Sequence, residues 1–96
     1  MMHIQLVYPD GYDEIAEFEH EKKGYLLGVQ LHLKGSVISL DFYDIARLTQ
    51  DTAEALSEKS YVHLENVVIV DAVTKLNIEL AARRIAGNNE PDYVFL

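Results

Sequence analysis

At 96 residues, 49% of them apolar, the chain has the length and material for one domain with one core, and it is too apolar for a disordered segment. Sixteen acidic against eight basic residues leave a net charge of −8, a field that repels nucleic acid and anionic membranes and attracts basic proteins. Cysteine is absent, which excludes a disulfide framework, a thiolate nucleophile and a cysteine zinc site.

MHIQLVY at 2–8 reads as a short strand stopped by the turn PDG. DGYDEIAEFEHEKKG at 10–24 then holds six acidic residues in its first twelve positions. On a helix from about Tyr12 to Lys22, at about 100° per residue, Asp13, Glu14, Glu17 and Glu21 share one side, and Tyr12, Ile15, Ala16 and Phe18 lie on the other, with Glu19 the one misfit among them. Like charges four apart repel, and this is partly offset by carboxylates at the positive helix start and Lys22–Lys23 at its end.

After Gly24, Tyr25, Leu27, Val29, Leu31 and Leu33 alternate with Leu26, Gly28, Gln30, His32 and Lys34, and the alternation resumes at Ile38, Leu40 and Phe42. A two-residue loop at Lys34–Gly35 pairs Leu31 with Ile38, Val29 with Leu40 and Leu27 with Phe42; a three-residue loop would break the apolar face. The spacing therefore predicts a central tight hairpin over about 24–43.

DIARLTQDTAEALSEKS shifts to helical spacing, with Asp44 as N-cap and Ile45, Leu48, Thr52 and Leu56 as the stripe; Asp51 with Glu54 is an alternative start. YVHL and NVVIV read as one bulged strand or two short ones. Thr74 caps a last helix with Ile78, Ala81, Ala82 and Ile85 on one side, ended by Gly87. Tyr93, Val94, Phe95 and Leu96 form an apolar tail that docks on the body. The predicted architecture is α+β, a mostly antiparallel sheet with two or three helices packed on one face, in a single domain over 1–96.

The catalytic and metal motifs fail on spacing. A calcium loop started at Asp10 places Tyr12 and Ile15 where an oxygen ligand and a glycine belong. His20 and Glu21 begin a zinc-protease pattern, but Gly24 stands at the second histidine position. No phosphate-binding glycine loop or nucleophile elbow occurs, so neither cofactor nor structural metal is expected. The start of the chain lacks the basic stretch and apolar run of a secretory leader, and the longest apolar run, VVIV at 67–70, is far short of the ~20 residues that span a bilayer. The expected location is cytoplasmic, with neither membrane nor nucleic acid as partner.

Two groups of residues remain as protein-binding candidates. One is the acidic set Asp13, Glu14, Glu17 and Glu21; the other is Tyr43, Asp44 and Arg47 in FYDIAR, where tyrosine and arginine are residue types favoured in binding hot spots and Asp44–Arg47 form an ion pair. The expectation is a non-catalytic domain that binds a basic protein. Small size, acidity and missing catalytic motifs are shared with immunity proteins and other protein inhibitors, a likeness of composition and not of motif. Two other readings stand beside it: a small enzyme or ligand-binding domain using the polar hairpin face around His32 and Asp41, and a structural subunit that forms a homodimer.

Overall fold

The computed structural model describes the backbone of residues 2–89 and 93–95 and the side chains of 5–86. In chain order the elements are β1 (Met2–Val7), α1 (Glu14–Lys23), β2 (Tyr25–Leu33), β3 (Ser36–Tyr43), α2 (Ile45–Lys59), β4 (Val67–Ile69), α3 (Lys75–Asn89) and β5 (Tyr93–Phe95). The fold is α+β, and the strands form one sheet in the order β4-β3-β2-β1-β5. Its centre is antiparallel, but β4 runs parallel to β3 and β5 parallel to β1. The sheet is thus mixed. The cause is connectivity: α2 carries the chain back from the end of β3 to the start of β4, and a helical crossover returns a strand in parallel.

The hairpin turn falls at Lys34–Gly35, with Leu33 opposite Ser36, Leu31 opposite Ile38 and Val29 opposite Leu40, and with Gly35 at φ +81°. Beyond Val29 the register shifts. Leu26, not Leu27, lies opposite Phe42, so Leu26 is buried and Leu27 is 45% exposed. The shift is a bulge at Leu27–Gly28, where Gly28 takes φ +76° and donates its N–H to Asp41 Oδ1 at 2.9 Å. An extra residue needs a left-handed backbone and a partner for its displaced amide, and glycine with the Asp41 carboxylate supplies both.

The core lies between the sheet and α3. Leu26, Val29, Leu31, Leu40 and Phe42 meet Ile78, Ala82 and Ala86, with Val70 and Val73 closing the end. Thr74 Oγ1 accepts from Asn77 N–H at 3.3 Å, the expected cap, but Gly87 does not stop α3, which runs to Asn89. Residues 61–65 form no strand; the extended run reduces to β4, entered through Asn66 at φ 58°. The expected docking of the tail takes the form of β5 pairing with β1, while Leu96 lies outside the described residues.

Helix α1 departs from the expected sides at three positions: Tyr12 and Ala16 turn inward and Asp13, Glu14 and Glu21 outward as expected, but Ile15, Phe18 and Glu17 change sides. Ile15 is 72% and Phe18 62% exposed, whereas Ala16, Glu17 and His20 face the body. The inward turn of Glu17 has a specific cause: Oε2 accepts the Lys75 N–H at 2.6 Å, filling one of the open amides at the start of α3. Asp44 caps α2 as predicted, Oδ1 accepting the Arg47 N–H at 2.8 Å, and α2 continues unbroken through Asp51. The Asp44–Arg47 ion pair does not form, because the Asp44 carboxylate is taken by that cap, and the guanidinium turns to Asp51 Oδ1 at 2.9 Å.

Candidate functional site

The candidate groups fall on α1 with its N-cap and at the neighbouring junction of β3 with α2. The junction is tight. Asp44 N–H donates to the Gly24 carbonyl at 2.8 Å, and a Cβ on Gly24 would stand 2.6 Å from Asp44 Oδ2. Gly24 is the left-handed C-cap of α1 at φ +83°, its N–H bonded to the His20 carbonyl.

A row of rings runs along this junction. Tyr8 stacks on Tyr12 at 4.9 Å, Tyr12 lies 5.9 Å from His20, His20 meets Tyr25 edge-on at 6.2 Å, and Tyr25 stacks on Tyr43 at 6.2 Å. His20 Nδ1–H donates to the Tyr25 carbonyl at 2.9 Å. Cations sit at both ends: Lys75 Nζ is 5.7 and 5.6 Å from the Tyr8 and Tyr12 ring centres, and the Arg47 guanidinium is 4.6 Å from that of Tyr25. The hydroxyls of Tyr8 and Tyr12 are buried without a hydrogen-bond partner. Burial, with Glu79 and Tyr12 beside it, pushes the Tyr8 phenol well above the usual range, and burial with Glu17 and Glu21 pushes Tyr12 up to about 12. Tyr43 is raised by burial and by Asp51 and Asp41, against Arg47. These phenols stay neutral at physiological pH, and the row is a packing seam that ties α1 and α2 to the sheet.

Of the predicted acidic set, Asp13 is the α1 N-cap, its Oδ1 accepting the Ala16 N–H at 2.8 Å, and Glu17 is the α3 cap. Glu14 and Glu21 remain exposed, as does Glu19. At about 100° per residue the outward arc of α1 reads Glu21, Glu14, Phe18, Lys22, Ile15, Glu19. An aromatic and an aliphatic side chain stand in its middle with carboxylates on both flanks, and the one cation among them, Lys22, lies 5.7 Å from the Phe18 ring centre. Tyr43, Asp44 and Arg47 are only partly exposed, each committed to contacts within the chain. The sequence pointed to α1 but not to the exposure of Ile15 and Phe18.

On the polar hairpin face the side chains have partners within the chain. Asp41 accepts the bulge amide, and His32 Nε2 lies 3.2 Å from Gln30 Oε1 on an open sheet. Among the described residues no group of three or more His, Asp or Glu could hold a metal ion, and no helix is long and apolar enough to cross a membrane. Comparison of the chain with protein-family models, curated proteins and solved structures finds no match.

Proposed function

We propose that the chain is a non-catalytic binding domain whose α1 docks on a basic protein, as an inhibitor or immunity-type factor does. The observation that carries this reading is the outward arc of α1. Phe18 and Ile15 stand exposed on a helix that has no buried residue of its own, with Glu14, Glu19 and Glu21 around them. An apolar centre within a charged rim is the layout of a protein interface, and the net charge of −8 favours a basic partner. The homodimer is the weaker reading for this face, because two copies would bring like-charged rims together.

The test uses substitutions that spare the two structural carboxylates. Glu14→Gln, Glu19→Gln and Glu21→Gln together should slow association with a partner identified by affinity capture, more than they speed dissociation, and the difference should fade with salt. Phe18→Ala alone should speed dissociation. Binding that ignores both changes would move the interface off α1.

A further inference from the structure

The face of α2 turned toward the body does not enter the core. Leu48, Thr52 and Ala55 are only half-buried, and they form one wall of a half-open cleft of about 320 Å³. Val62 and Leu64, from the irregular segment after α2, and Tyr43 also line the cleft. A volume near the lower end of the ~300–1,000 Å³ range of small-molecule sites fits a ligand with one ring or one branched chain.

Charge decides what kind of ligand. The cleft holds one carboxylate, Asp51, and it is already paired with Arg47 at 2.9 Å. Lys59 and His63 also line it, and Lys59 has no ion-pair partner among the described residues. The uncompensated local charge is therefore positive, in a chain that is acidic as a whole. We propose that this cleft binds a small organic carboxylate, its apolar body between Leu48, Ala55, Val62 and Leu64 and its carboxylate at the Lys59–His63 rim. The site is separate from the face of α1 and does not depend on it.

The experiment is an NMR titration of the full chain with phenylpropanoate, with phenylpropylamine of opposite charge, and with neutral phenylpropanamide. The acid should move the amide resonances of Thr52, Ala55, Val62 and Leu64 saturably, and the amine and amide should bind at least about tenfold more weakly. Lys59→Gln should weaken the acid about tenfold and leave the amide unchanged. Ala55→Phe should fill the cleft and abolish the shifts. If that variant does not fold, Lys59→Gln, at an exposed position, still decides. Equal affinity for acid and amine, acid shifts confined to other residues, the absence of any saturable shift, or unaltered acid affinity in Lys59→Gln would each overturn the proposal.

Discussion

Tyr12 carries a hydroxyl into the interior and finds no partner for it, beside Tyr8 with the same defect. A buried polar atom left unpaired costs about 1–3 kcal/mol, so Tyr12→Phe and Tyr8→Phe should leave stability unchanged or raise it by up to about 1 kcal/mol. A loss larger than that in urea unfolding would mean that each hydroxyl has a bound water as partner. The same burial sets an alkaline limit. Below the unfolded phenol value near pH 10 both states keep the proton. Above it the unfolded chain loses the proton while folded Tyr12 holds it to about 12, so stability falls as pH rises through that window. Tyr12→Phe should flatten the decline, as read by unfolding midpoints between about pH 9 and pH 12. Gly24 and Gly28 make a second comparison. Both have positive φ, but a Cβ on Gly28 meets nothing within 4 Å, whereas one on Gly24 runs into Asp44. Gly28→Ala should cost about 1 kcal/mol and Gly24→Ala about 2–4 kcal/mol, because the latter also displaces the cap of α2. Equal losses would refute the close approach.

Helix α1, like α2, is held without a core residue of its own. Its grip on α3 is the Glu17 carboxylate at the Lys75 amide. Glu17→Ala should therefore cost about 1–2 kcal/mol, and hydrogen exchange should show the amides of α1 losing more protection than those of β2 and β3. Uniform loss would mean that α1 is fastened elsewhere. In the hairpin, Leu31→Lys places a charge in the core and should cost several kcal/mol, while Gln30→Lys on the exposed side should cost little. These elements also show how far the sequence could be read. Leu31–Ile38 and Val29–Leu40 were legible because a polar neighbour flanked each apolar residue and one slip would have exposed them all. At Leu26–Leu27 two adjacent leucines carried no such information, and the signal for the bulge was the glycine inside a strand. The inward turn of Glu17 was not legible. Its partner amide lies 58 residues further along the chain, and no local periodicity reports such a contact. The same is true of the parallel pairing at the two flanks of the sheet, which depends on where α2 and α3 lead the chain. In α2 the expected stripe divides: Leu48 and Thr52 turn inward and, with Ala55, line the cleft, whereas Ile45 and Leu56 are exposed, a split that helical spacing alone does not mark.

At the scale of the molecule, the net charge of −8 comes from sixteen acidic against eight basic residues, of which Arg47 is paired with Asp51. Self-repulsion between surface carboxylates should dominate over attraction. Raising NaCl from about 0.01 M to about 0.5 M contracts the Debye length from ~30 Å to a few Å, so the melting temperature should rise. A fall in the melting temperature, followed by circular dichroism, would mean that attractive pairs outweigh the repulsion. The same salt should weaken association of the α1 face with a basic partner, which makes the folding and binding responses opposite in sign.

The placement of the core along the chain has a consequence for its biosynthesis. Leu26, Val29, Leu31, Leu40 and Phe42 are made early, but Val70, Val73, Ile78, Ala82 and Ala86, which cover them, all come after residue 69. A nascent chain can pair β1, β2 and β3 into a three-stranded meander while one face of it is still bare hydrocarbon. Until α3 leaves the ribosome that face is open to other chains, as is the outer edge of β3 until β4 pairs with it, and a chain released before α3 would keep the face exposed.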